Sequence, residues 1–365
     1  MPAENSVVLA QVKKVSHWQI PRMGPDKDWT HAAGWVGVMA AYQATHDPLL
    51  LQALKSWCGD FALTETPRHP RADNQCAAQT FLDVYLLDPR PGADFMLAAA
   101  RQSFDGLLEN PVAGRIEWWW QDALFMAPPV LARLALATGD GRYLRMLHEM
   151  WWDTVAFLFE PAVGLMYRDD RRRENFWARG NGWVLAGIAR VLQVLPLDDP
   201  RRDEYVALLR TMSTAVVAAQ AADGLWRANL LKPEEFPNPE TSGSGFFTYA
   251  LAWGINNGLL DRATFLPVVG RAWLGLAALV RGDGHLGWVQ PVAASPAATS
   301  ADTTAPFGVG AFLLAATEVA RIADPDFIRA IADVSQPVPH GHSSGTTRLA
   351  PDLRNPDDEV TRLAR

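Results

Sequence analysis

Cysteine is almost absent from this chain: Cys58 and Cys76 are the only two in 365 residues. Two cysteines build no disulfide framework, and neither stands in a metal-ligand spacing. Long apolar runs are also lacking. Nothing approaches the ~20 apolar residues of a membrane span. The start, Met1 to Met23, carries Lys13 and Lys14 but no apolar stretch long enough for a signal peptide. There is no global basic field: the net charge of −7 argues against a nucleic-acid partner. Strand signals are sparse. No phosphate-binding glycine loop follows a strand, and Ser242 and Ser244 lie beside glycines without the strand that a nucleophile elbow needs. The expectation is a soluble, cytoplasmic protein (periplasmic if the start is truncated). It has no metal or cofactor site and no membrane partner, and its oligomeric state is open.

What is present is helical periodicity with a repeated punctuation. Small residues open one apolar stretch after another, at Ala32 to Gly37, Cys76 to Ala78, Ala123 to Ala127, Gly180 to Gly182, Ser242 to Gly245 and Gly308 to Ala311. Each stretch stops at a turn signal such as Asp47-Pro48, Asp88-Pro89, Gly139-Asp140-Gly141 or Asp324-Pro325. Amphipathic segments follow most stops: 50–61, 93–108, 143–159, 203–221 and 262–280. About six helix pairs result, of the kind found in helical-hairpin arrays. The first helix of each pair is apolar all round and should be buried. The second has a polar face and should lie outside. The expected fold is all-α, an (α/α)6 barrel of six helical hairpins, with an open solenoid as the alternative. The barrel would span 29–335, after an N-terminal extension at 1–28 and before a flexible tail at 336–365. Returning loops such as Asp223-Gly224-Leu225-Trp226 and Asp283 to Trp288 pair a glycine turn with an aromatic. If the barrel closes, they gather at the end where the inner helices begin.

Candidate chemistry sits at that end. In Glu117 to Pro129, Asp122 stands among Trp118, Trp119, Trp120 and aliphatic residues. A carboxyl so placed is hard to ionise, and one still protonated near neutral pH can act as a general acid. The competing reading is an N-cap. Asp73, in Arg71 to Cys76, would supply a second carboxylate on a neighbouring inner helix. In Arg179-Gly180-Asn181-Gly182-Trp183, the glycines let a ligand approach the backbone. Arg179 and Trp183, four apart, share a helix face that suits an acidic sugar, carboxylate to the guanidinium and ring to the indole. The alternative there is a cation–π pair that only packs. Arg168, Arg171, Arg172 and Arg173 form a basic cluster or simply a solvated loop. His31 could line the rim, and His340 and His342 in the tail are taken as incidental.

Glu117 to Pro129, Phe176 to Trp183 and Asn238 to Gly243 resemble the unsaturated uronyl hydrolases, glycoside hydrolase families 105 and 88. The likeness extends from about Trp29 to about Ala323. The resemblance implies the six-hairpin barrel and an unusual reaction on an anionic oligosaccharide. The substrate carries the 4,5-unsaturated uronic acid that lyases leave at a non-reducing end. An aspartate protonates C4, water adds at C5, and the resulting hemiketal opens and releases the rest of the sugar. Asp122 matches the acid and Asp73 the second aspartate. Trp120, Arg179 and Trp183 match residues around the substrate, and Trp177 and Trp226 are further candidates for binding it. Asn74, Gln75, Gln121 and the short basic loop 168–175 depart from the family pattern. The alternatives are a conventional inverting glycosidase on the same barrel and a non-catalytic sugar-binding array.

Overall fold

A computed structural model describes residues 6–59, 72–88, 93–173 and 175–333. The expectation for the tail 336–365 falls outside the described residues. In chain order come α1 (Ser6–Gln19), α2 (Trp29–Thr45), α3 (Pro48–Gly59), the single turn α4 (Ala72–Gln75), α5 (Ala77–Leu87) and α6 (Asp94–Glu109). The short turns α7 (Gly114–Glu117) and α8 (Ala123–Met126) lead to α9 (Pro128–Thr138) and α10 (Arg142–Leu158). A two-stranded hairpin, β1 (Phe159–Glu160) and β2 (Leu165–Met166), precedes α11 (Ala178–Leu192) and α12 (Arg202–Ala218). The remaining helices are α13 (Thr241–Asn256), α14 (Arg262–Ala278), α15 (Pro306–Ala320) and α16 (Pro325–Asp333).

The inner helices form a closed ring. α2 packs on α5, α5 on α9, and α9 with α8 on α11. The ring continues from α11 to α13 and α15, and α15 returns to α2. The outer helices α3, α6, α10, α12 and α14 each cover an inner neighbour. This is the (α/α)6 barrel. The burial explains the apolar inner sequences: every residue of α11 is buried, as are Thr241 to Ile255 of α13 and Phe307 to Ala320 of α15. Residues 6–19, read above as part of an extension, form α1. Its Val8, Val12 and Val15 are fully buried, and it packs against α15 and α2.

Closure depends on backbone contact between α2 and α15. A Cβ on Gly310 would stand 2.2 Å from the Ala33 carbonyl oxygen, and one on Gly37 would stand 2.5 Å from Gly310 Cα. Only glycine allows that approach. The returning loops do gather where the inner helices begin, and each pins the start of an inner helix. Gln121 donates its amide to the Arg168 carbonyl (2.9 Å), Ala178 to Ala228 (2.9 Å) and Thr241 to Trp288 (2.9 Å). Among the described residues, no helix is long and apolar enough to cross a membrane.

Candidate active site

Asp122 occupies the N-cap position of α8, yet its side chain makes no capping hydrogen bond. Other acids at helix starts behave differently: Asp28 caps α2, Asp261 caps α14 and Glu240 caps α13. The Asp122 carboxyl therefore does not have the structural task that its position suggests. The residue is partly exposed, while Oδ1 is shut off from solvent without a hydrogen-bond partner. Burial raises its pKa above the ordinary carboxylate range. The charges of Arg168 and then Arg179 oppose the rise, and the nearby charge of Asp169 adds to it.

The Arg168–Asp169 segment is held beside Asp122 by backbone pairing. Trp120 and Asp169 form an isolated antiparallel bridge. The Asp169 carboxylate is fully buried and receives Nη1 of both Arg168 and Arg172, the latter at 2.8 Å. The basic cluster is thus partly built into the site's wall. The Arg168 guanidinium lies 5.7 Å from the centre of the Trp119 ring, and its Nε has no partner.

Arg179 is 1 % exposed. Nη1 donates to the carbonyls of Gln290 (2.6 Å) and Pro291 (3.1 Å), and Nη2 to Pro291 (3.2 Å). Its guanidinium also stacks 4.3 Å from the Trp177 ring centre. A cation so engaged fixes the 290–291 segment and projects charge toward Asp122. These bonds give Arg179 a positioning role beside the expected grip on a substrate carboxylate. The glycines of the same motif also serve protein neighbours. A Cβ on Gly180 would meet the Gln121 amide nitrogen at 1.7 Å, so this glycine makes room for the Gln121 side chain. That amide is fully buried, and neither its oxygen nor its nitrogen has a partner. Asn181 staples β2 by donating to the Met166 carbonyl (3.1 Å) and accepting from the Met166 amide (2.8 Å).

The tryptophans divide into floor and rim. Trp183 has no exposed surface and packs on Phe246 (4.2 Å), Phe125 (4.6 Å) and Trp29 (6.3 Å). Trp177 is sealed and donates to the Gln290 side chain (2.9 Å), and Trp226 is sealed and donates to the Val216 carbonyl (2.7 Å). All three are buried against other protein groups in this structure, which gives them a supporting role behind Trp119 and Trp120. Trp120 is 6 % exposed, its ring tilted by 46° against that of Trp119 at 4.7 Å, and Trp119 is 42 % exposed. Trp29 and Trp288 are half-buried. Trp288 holds a left-handed φ of 60°, unusual for a bulky residue, between its amide bond to Ser300 (2.9 Å) and its carbonyl bond to Thr241 (2.9 Å).

Asp73 lies on α4, partly exposed, and α4 packs against α8. Its charge, added to burial, pushes the neighbouring Cys76 thiol up. His31 is partly exposed at the start of α2, with Nδ1 2.6 Å from Asp28. Asp26, Asp28 and His31 bring one potential ligand atom each within 4.8 Å, but both aspartates are exposed, a common surface arrangement. Reading the sequence missed Glu240. Its fully buried carboxylate accepts from the Ser242 amide (2.9 Å), Ser242 Oγ (2.5 Å), the Gly243 amide (2.6 Å) and the Gln290 amide (3.3 Å). The signal was the acid followed at once by Thr241-Ser242-Gly243, which is a cap with small residues around it.

Residues 3–323 match the model for Glycosyl Hydrolase Family 88. The chain belongs to that family. It is therefore a glycosidase by family. An Unsaturated 3S-rhamnoglycuronyl hydrolase of Formosa agariphila is 37% identical, covering 87% of this chain and 92% of that one. A solved glycosyl hydrolase family 88 protein from Bacteroides vulgatus is 31% identical with a TM-score of 0.80, over 87% of this chain and 99% of that one. A further solved structure, described as a polysaccharide lyase, is 36% identical with the same TM-score of 0.80, over 87% and 98% of the two chains.

Proposed function

We propose that this protein removes a 4,5-unsaturated uronic acid from the non-reducing end of lyase-generated oligosaccharides by hydrating the double bond. The observation that carries the reading is the uncapped, sheltered carboxyl of Asp122. Protonating carbon needs an acid that keeps its proton until the alkene arrives, and burial favours that state. Once the proton has gone to C4, the positive charges of Arg168 and Arg179 stabilise the carboxylate left behind. Asp73 assists the water that adds at C5. Trp119, Trp120, Trp29 and Trp288 frame the sugar, with His31 at the rim. The relative from Formosa agariphila, by its name, supports rhamnose as the residue joined to the unsaturated acid.

The lyase description of one relative raises a second reading, β-elimination. That reaction needs a base to take the C5 proton, and the raised pKa of Asp122 favours the acid form over the base form. One assay separates the two. Lyase digests of rhamnose-containing polyuronides are incubated with the protein and the ultraviolet absorbance of the conjugated enol acid is followed. Hydration removes the absorbance, and elimination on intact polymer creates it. Asp122→Asn is expected to abolish the fall while leaving the fold intact. Substantial residual activity in that variant refutes the assignment.

A further inference from the structure

At the opposite end of the barrel, where the inner helices finish, lies a cavity of about 950 Å3. Asp83, Arg133, Arg190 and Tyr249 line it together. Arg133 and Arg190 are only 2 % and 4 % exposed, and they share the single carboxylate of Asp83, at 2.6 Å and 2.9 Å. Their other bonds account for most of each guanidinium. Arg133 Nη1 reaches the carbonyls of Pro129 (3.1 Å) and Arg190 (3.3 Å), and Arg190 Nε reaches the Gln79 side chain (3.0 Å). One terminal nitrogen of each, Arg133 Nη2 and Arg190 Nη1, has no bond to any described residue. Neither is among the polar atoms sealed from solvent. Tyr249 accepts from Gln193 Nε2 (3.0 Å) and keeps its own proton to donate, because burial pushes the phenol up.

The charges do not balance. Two guanidiniums face one carboxylate, and the other acid in the lining, Glu318, is already engaged by Arg321 (2.8 Å) and Asn256 (2.8 Å). Arg202 adds a further cation to the lining. The helix C-termini at this end carry partial negative charge that fades within about one turn; it offsets part of the charge of Arg190, in the last turn of α11, but not that of Arg133, five residues before the end of α9 at Thr138. The network with Gln79 and Asp83 explains why the arginines tie α5, α9 and α11 together. It leaves two guanidinium NH2 groups, Arg133 Nη2 and Arg190 Nη1, unpaired among the described residues at an open cavity. A guanidinium nitrogen so placed suits a carboxylate. The rest of the lining mixes amides (Gln43, Gln193) with an indole (Trp253), which suits a hydroxylated ring.

We propose that this cavity is a second ligand site, separate from Asp122, that takes a small monoanionic hydroxy acid of sugar-acid size. Its carboxylate would sit on Arg133 Nη2 and Arg190 Nη1. The site stands on this geometry alone and does not depend on the reaction at the other end.

The test uses the full-length protein, calorimetric titration at low ionic strength, and D-galacturonate as probe. Its methyl ester and inorganic phosphate are the controls. Galacturonate is expected to bind wild type and Asp122→Asn alike. The ester should bind about tenfold or more weakly, as expected for loss of a charge-assisted hydrogen bond. Ala40→Phe, which puts a phenyl ring into the cavity from its lining, should weaken that binding while turnover of the unsaturated substrate stays unchanged. No galacturonate binding, equal binding of ester or phosphate, or full binding by a folded Ala40→Phe variant overturns the proposal. If Ala40→Phe does not fold, a wild-type crystal soaked in galacturonate decides. Density against Arg133 and Arg190 supports the site, and its absence there refutes it.

Discussion

Replacing Glu240 by Gln probes how the site is held. The side chain is fully buried and receives two backbone amides of α13, the Ser242 hydroxyl and the Gln290 amide. Its charge also acts on Arg179, the residue that holds the carbonyls of Gln290 and Pro291. Glutamine keeps the volume but removes the charge and turns an NH2 group toward N–H donors. Removing one partner from a buried charge network costs about 3–5 kcal/mol. Unfolding entropy of ~2.1 cal/mol/K per residue over a compact unit ending at Ser335 gives ~0.7 kcal/mol/K. The expected fall in Tm is therefore about 4–7 °C, read by scanning calorimetry. The damage should also reach substrate binding, because 288–291 carries Trp288 and the Arg179 anchor, so KM should rise more than kcat falls. A Tm within about 1 °C of wild type, with unchanged KM, refutes the claim that this carboxylate organises the site.

Three further outcomes follow from the same geometry. Arg168 holds the Asp122 pKa down, so Arg168→Gln should let the acid keep its proton to higher pH and move the alkaline limb of the kcat profile upward; a limb that stays put or moves down contradicts the charge argument. Trp119 is exposed and Trp183 is sealed, so Trp119→Ala should raise KM with little change in Tm, whereas Trp183→Ala should cost ~3–5 kcal/mol of stability; the reverse pattern in denaturant melts and kinetics would contradict the floor and rim assignment. Because the Asp122 carboxyl is raised in the folded state, the native protein binds more protons than the unfolded chain. Its contribution to stability therefore declines as pH climbs from the ordinary carboxylate range to the folded value. Asp122→Asn should then be more stable than wild type above that window and equal to it below, and melts at several pH values check the sign.

The hairpins were legible in the sequence because both of their signals are local. Small residues mark where inner helices touch, and Asp-Pro or glycine pairs mark where they stop. Gly310 against Ala33 shows why the first signal is strong: the contact tolerates no side chain. The place of α1 was not legible, because its partner α15 lies far along the chain and only ring closure brings them together. Asp122 could be picked out by its setting, but its lack of a capping bond could not. The burial of Arg179, Trp177, Trp183 and Trp226 was not legible in the sequence. Residue type tells what a side chain can bind, and burial decides whether anything can reach it. The place of Arg168 beside Asp122 depends on the bond from the Gln121 amide to its carbonyl, a contact across 47 residues that no local signal marks.

The central claim is that a proton passes from Asp122 to carbon. It is tested most directly by running the reaction in deuterium oxide and examining the earliest product by NMR. A single deuterium at C4, placed on one face only and missing with Asp122→Asn, is the predicted result. A product freed at normal rate with no deuterium bound to carbon would contradict the account.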